Sequence, residues 1–144
     1  MEDYYCDQVL NGRAKVKTVM ETERVLAFYH TNPHWPVHIV VIPKIHIPDI
    51  LSPLCDDQLL SELFSVIRRV AGDVTKEHGS CRILTNLGEY QDSKHLHWHI
   101  AFGVPHKDDY DQLVEEAIED YRRGRTKALR TKKDIHDFVY SRNA

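Results

Sequence analysis

Residues 93–102 read SKHLHWHIAF, with histidine at every second position: His95, His97 and His99. In an extended strand such side chains share one face, roughly 6.5 to 7 Å apart, while Leu96, Trp98, Ile100 and Phe102 share the other. One face is built for a core and the other is a row of imidazoles. A row of this kind is costly to bury without partners. It can bind a metal, it can be a solvated polar face, or it can attack and clamp a phosphate. For the last, a neutral imidazole nitrogen is a good nucleophile near pH 7. Its neighbours can donate hydrogen bonds to the non-bridging and leaving oxygens. Histidine is also the compositional outlier: of ten copies, four more (His30, His34, His38 and His46) cluster upstream.

These residues need a scaffold, and hydrophobic periodicity supplies one. Residues 14–20 and 24–30 read as two strands joined at ETE. The β-branched run VHIVVIP, 37–43, reads as a buried central strand that stops at its proline. Leu59, Leu60, Leu63, Ile67, Val70, Ala71 and Val74 recur at helical steps. Asp56 or Asp57 can cap that helix and Gly79 can end it. Residues 81–86 form a fourth strand, and the histidine segment from residue 95 a fifth. Tyr110, Leu113, Val114, Ala117, Ile118 and Tyr121 predict a further helix, Gly124 a break, and residues 134–143 a last short helix or docking tail. Strands followed by segregated helices indicate an α+β domain.

A chain of 144 residues with 42% hydrophobic and 28% charged content suits one soluble domain with a real core. The net charge of −3 argues against charge-driven binding to nucleic acid or membranes, and no apolar run is long enough to span a bilayer. The start is polar and acidic, unlike a secretory signal. Three cysteines, Cys6, Cys55 and Cys81, fit a reducing cytoplasm better than a disulfide framework.

The histidine segment HLHWHIA resembles the His-φ-His-φ-His-φ-φ motif of the histidine triad (HIT) family, φ being apolar. Three further segments are similar to that family's in the same order: LNGRAKVKTVMETERVLAFYHTNP, PVHIVVIPKIHI and ILTNLGEYQDSKH. The resemblance runs from about residue 4 to residue 103. It implies a five-stranded antiparallel sheet with a long helix packed on it. It also implies a HIT domain over 1–103, with a helical carboxy-terminal extension over 104–144 packed on the same domain or on a partner subunit. Two sheets would join in a homodimer.

The resemblance implies a nucleotide-binding hydrolase that cleaves a nucleoside 5′-phosphate derivative at the α-phosphorus. The derivative is a phosphoramidate, ester or anhydride, and the reaction runs through a nucleotidyl-histidine. The implied ligand is a purine nucleotide or nucleotide conjugate. His97 matches the nucleophile and His99 the residue that assists the leaving group. His95 matches the residue whose carbonyl orients the nucleophile, and His38 the fourth supporting histidine. Asn86, Gln91 and Ser93 match nucleotide-binding positions. His30 stands where the family often has a ribose-binding aspartate, and a single imidazole cannot match a carboxylate's paired acceptance. Asp92 follows Gln91, where many members have serine. Histidine rather than glutamine at residue 99 favours hydrolysis over nucleotidyl transfer. A dinucleoside polyphosphate hydrolase and a non-catalytic nucleotide sensor are the alternatives. No cofactor is required. Some bacterial relatives bind structural zinc through two cysteines and two histidines. Here Asp3, Cys6, His46 and His95 are the corresponding residues, and the missing cysteine argues against zinc.

Overall fold

A computed structural model of the chain describes residues 3–124 and Lys133. It divides into two compact units, Met1–His106 and Lys107–Ala144.

The first unit is built on five antiparallel strands: β1 (Thr18–Glu21), β2 (Val25–Tyr29), β3 (Val37–Pro43), β4 (Arg82–Thr85) and β5 (Trp98–Phe102). Their order across the sheet is β1-β2-β3-β5-β4. All five predicted strands are present, the first over Thr18–Glu21 rather than 14–20, and 37–43 is the buried central one. The fifth is shorter than expected, because pairing begins at Trp98 opposite Val41 and not at His95. The reason lies in the partner strand. β3 ends in Pro43, which has no N–H to continue a ladder. Ahead of β5 the chain instead hydrogen-bonds to the following loop, Leu96 N–H donating to the Ile47 carbonyl at 2.6 Å. His95 and His97 therefore stand on an extended lead-in to the strand.

Side-chain alternation divides the sheet into two faces. On one lie Val25, Ala27, Ile39, Val41, Trp98 and Ile100, packed against helix α1 (Asp57–His78) through Leu59, Leu63, Val66, Ile67, Val70 and Val74. Each fully buried leucine or isoleucine here contributes about 1.5–3 kcal/mol of transfer free energy. Asp56 caps α1, its Oδ1 accepting from Leu59 N–H at 2.7 Å, and Gly79 ends it in the left-handed conformation.

On the other face Leu26, Phe28, Val40 and Ile42 are covered by Tyr5 and Val9. These belong to a six-residue π-helical turn, Tyr5–Leu10, that the periodicity did not predict. One carboxylate oxygen of Asp3 starts the turn, accepting from the N–H groups of Tyr5 and Cys6 at 3.0 and 3.2 Å.

The second unit contains α2 (Lys107–Arg122), longer by a few residues than its apolar spacing alone suggested. Gly124 takes a φ of 67°, consistent with the expected break. The segment 134–143 lies outside the described residues. No helix among the described residues is long and apolar enough to cross a membrane.

Gly103 closes β5 with φ of 99°, and a Cβ there would meet Pro36 Cγ at 2.7 Å and Cδ at 2.9 Å. Gly103→Ala should therefore destabilise the domain by about 2 kcal/mol or more in urea unfolding. A loss below about 0.5 kcal/mol would contradict this reading of the turn.

Candidate functional site

The second face of the sheet carries the histidines. Val40 of β3 pairs with His99 of β5, so both point to the side covered by Tyr5. His38 lies two residues before Val40 and points the same way. His30, just beyond β2, is held by its own N–H donating to the His38 carbonyl at 2.8 Å. Ring centroids are 4.2 Å apart for His30 and His38, 5.0 Å for His38 and His99, and 4.9 Å for His99 and His97. Four imidazoles thus form one contiguous array, and His38, His97 and His99 are buried.

Their hydrogen bonds fix the tautomers. His97 Nδ1 is 2.7 Å from the His95 carbonyl oxygen. A carbonyl can only accept, so Nδ1 carries the proton and Nε2 of His97 keeps its lone pair. His38 Nδ1 accepts from His34 N–H at 3.0 Å, so its proton is on Nε2 and is donated to His99 Nδ1 at 2.8 Å. His99 is left with an Nε2–H donor. His30 Nδ1 accepts from Asn32 N–H at 3.0 Å, which likewise puts its proton on Nε2. One ring presents a lone pair and two neighbours present donors.

Burial keeps the array neutral. It lowers the pKa of His97, and it brings His99 down to about 4 and His38 to about 3, with the neighbouring imidazoles adding to the effect. Burial lowers His30 as well. The carboxylate of Asp92, exposed at the rim, acts on His97 and His30 in the opposite sense.

The remaining nucleotide-binding candidates lie between β4 and β5. Asn86 is half-buried directly after β4. Gln91 is buried, and its Nε2–H donates to the Pro48 carbonyl at 2.8 Å, so part of its amide holds the loop itself. Ser93 Oγ is buried and has no hydrogen-bond partner among the described residues. Two neighbours of the array escaped the sequence reading. Tyr5 packs its ring 5.6 Å from His95 and 5.2 Å from His97. Trp35 stands edge-on to His38 at 4.8 Å, its Nε1 buried with no partner among the described residues. The Tyr5 and Val9 spacing was the available signal for the first, and the WP step between two prolines hid the second.

His95 faces elsewhere. Its ring is fully buried, with Nε2 2.9 Å from the Pro43 carbonyl and Nδ1 turned to the amino-terminal segment. There the structure brings together Asp3, Cys6, His46 and His95, one ligand atom of each lying within 4.8 Å of every other. Asp3 Oδ2 is 2.5 Å from His46 Nδ1 and 2.8 Å from His95 Nδ1, and Cys6 Sγ is 3.5 Å from the latter. Oxygen, nitrogen and sulfur donors at such separations suit a four-coordinate ion of the zinc class. Burial raises the Asp3 carboxyl, but hydrogen bonds from Cys6, His95 and His46 outweigh it and hold the group well below the carboxylate range. The Cys6 thiol is pushed up to about 12, first by burial and then by Asp3.

The HIT domain model matches residues 11–106. An uncharacterised HIT-like protein of Helicobacter pylori is 36% identical over 104 residues, covering 69% of this chain and 96% of its own. Among solved structures, a HIT family hydrolase from Clostridium thermocellum superposes with a TM-score of 0.62 at 30% identity, over 72% of this chain and 91% of its own. A hypothetical histidine triad nucleotide-binding protein from Sulfolobus tokodaii gives the same TM-score at 29% identity, over 72% of each chain. With the motif, the sheet and the family model all in agreement, the chain belongs to the HIT family.

Proposed function

We propose that this protein is a nucleotidyl hydrolase that cleaves a nucleoside 5′-phosphate derivative at the α-phosphorus through a covalent intermediate on His97. The observation that carries the reading is the pair of opposite tautomers: a lone pair on His97 Nε2 beside an N–H donor on His99 Nε2. That combination suits attack on phosphorus with support for the departing atom. The relatives described as a hydrolase and as a nucleotide-binding protein support the same class.

In the first step His97 Nε2 forms a bond to phosphorus and the bond to the leaving group breaks. The leaving atom keeps the electron pair, steadied by His99 Nε2–H, and an amine or alcohol takes its proton from solvent. The phosphorylated ring is cationic, and its Nδ1–H bond to the His95 carbonyl becomes charge-assisted. In the second step water attacks phosphorus, the pair returns to Nε2, a proton leaves to solvent and the nucleoside monophosphate departs. Ser93 Oγ and His30 Nε2–H are the further donors we assign to the nucleotide, with Asn86 and Gln91 shaping the loop around it. Asp3, Cys6, His46 and His95 are fitted to hold a zinc-class ion, which would brace the site structurally and supply no step of the reaction. A purine nucleotide or its conjugate is the ligand we assign, and free thiols at Cys6, Cys55 and Cys81 suit the cytoplasm. We further propose a homodimer through the β4 side of the sheet, where β4 is an edge and Ile83 is 48% exposed.

Three measurements test this. Mixing with a nucleoside phosphoramidate and quenching rapidly should give an intact-mass adduct of one nucleotidyl group. His97→Ala should abolish it and lower turnover on the order of 10³-fold or more. Normal turnover in that variant would end the proposal, and nucleotide binding without any adduct would favour a sensor. The pH profile is the second test. Protonation removes the lone pair, and a lowered pKa moves that loss to more acid pH. With an aryl ester, whose phenolate leaves unprotonated, the adduct rate should hold from pH 8 to 6.5 and fall only below the ordinary imidazole range. An acid limb at or above 6.5 would count against the neutral array. Third, sedimentation equilibrium should give twice the chain mass, reduced to a monomer by Ile83→Lys. A wild-type monomer would remove the dimer.

A further inference from the structure

One row of the sheet runs from the histidine array to the sheet edge. His38 of β3 pairs with Ala101 of β5, and Ala101 pairs with Arg82 of β4. Paired residues point to the same side, so Arg82 stands on the histidine face, two strand spacings or about 10 Å from His38. Ala101 between them carries only a methyl group, and Trp35 spans the interval. Its ring centroid lies 4.8 Å from that of His38 and 6.4 Å from that of His99, and the Arg82 guanidinium carbon sits over the same ring, 5.8 Å from its centroid. An indole face attracts a guanidinium and gives it a defined seat while its N–H fork stays available. Beside Arg82 lies a cavity of about 360 Å³, lined also by Ser80, Ala101 and Gly103. Charge is distributed unevenly around the array. Burial and then the neighbouring imidazoles keep His38 and His99 neutral, while the Asp92 carboxylate acts on His97 and His30. Arg82 is exposed, and no carboxylate pairs with it among the described residues. Along β5 the order is His97, His99, Ala101. The line from the attacking ring through the ring that steadies the departing atom therefore continues toward Trp35 and Arg82.

We propose that Arg82, seated on Trp35, determines specificity for the departing half of the substrate by receiving an anionic oxygen group, carboxylate or phosphate, carried on that fragment. The inference rests on the hydrolase reading, with His97 attacking and His99 facing the leaving atom. Arg82 makes and breaks no bond. The bond from phosphorus to the leaving nitrogen or oxygen breaks toward the fragment, which keeps the electron pair and, where it is an amine or alcohol, takes its proton from solvent. The guanidinium meets the fragment's anionic oxygens with paired N–H donors. Trp35 is a positioning residue that acts through Arg82. The two halves of the substrate are thus read by different means. Neutral donors serve the nucleotide near His97 and His30, and a full positive charge serves the fragment beyond His99.

The test uses the whole chain and three nucleoside 5′-phosphoramidates whose leaving amines are glycine, glycinamide and aminomethylphosphonate. These amines differ in intrinsic reactivity, so the quantity read is the ratio of wild-type to variant kcat/KM for each substrate. Arg82→Gln should lower kcat/KM for an anionic substrate about 10-fold more than for the glycinamide one. Arg82→Lys should recover part of that difference, and Arg82→Glu should widen it. The difference between wild type and Arg82→Gln should shrink as salt is raised from about 50 mM to 500 mM. Trp35→Leu should reduce the anion preference in the wild type and change it no further in Arg82→Gln, which a general loss of structure would not do. A loss confined to the glycine substrate assigns an acidic amine and one confined to the phosphonate assigns a phosphorylated fragment; either upholds the subsite. Equal losses for all three substrates, with the adduct on His97 still forming, overturn the subsite and leave the hydrolase standing. No adduct from any of the three overturns the hydrolase, and the role of Arg82 falls with it.

Discussion

The hydrogen bond from His97 Nδ1–H to the carbonyl two residues earlier decides which nitrogen of that ring keeps its lone pair. It is a local contact, yet it forms only if the chain between residues 95 and 97 is extended and its amides are engaged elsewhere. Pro43 makes that so. By ending the β3 ladder it frees the lead-in to β5, whose Leu96 amide goes to Ile47 and whose His95 ring goes to the Pro43 carbonyl itself. The geometry of the histidine array is set by where a strand is made to stop.

Rigidity comes from both sides of the sheet. Leu96, Trp98 and Ile100 are sunk in the α1 layer, so the backbone that carries His95, His97 and His99 cannot twist without opening that core. On the opposite side the array is held by a chain of donors that begins in a backbone amide. His34 N–H fixes His38, and His38 fixes His99. Beginning with a main-chain donor gives the relay a defined direction, and burial removes the protonated states that would reverse it. Such an array is neutral where a phosphate would arrive, so it acts through oriented dipoles more than through net charge.

Much of this was legible before any coordinates. Period-two alternation assigned the two faces of residues 95–102, and the helical spacing from Leu59 to Val74 with Asp56 and Gly79 at its ends marked α1. What periodicity could not show was pairing. The start of β5 depends on a proline distant in sequence, and the π-helical turn depends on a carboxylate at Asp3 and on a hydrophobic strip of sheet that no local pattern announces. The site divides in the same way. The His-x-His-x-His spacing pointed to the array. The tautomers depended on backbone groups at residues 34, 32 and 95, which every sequence contains and none displays. The convergence of Asp3 and Cys6 with His46 and His95 is a tertiary fact of the same kind.

The orienting group for His97 is a main-chain carbonyl, and a carbonyl persists through any substitution at its own residue. Residue 95 could vary in side chain and still present that oxygen, so the imidazole there is under a separate demand, set by what surrounds its ring. Two duties on one residue are in this way separable: the backbone orients His97, and the side chain answers to the amino-terminal cluster.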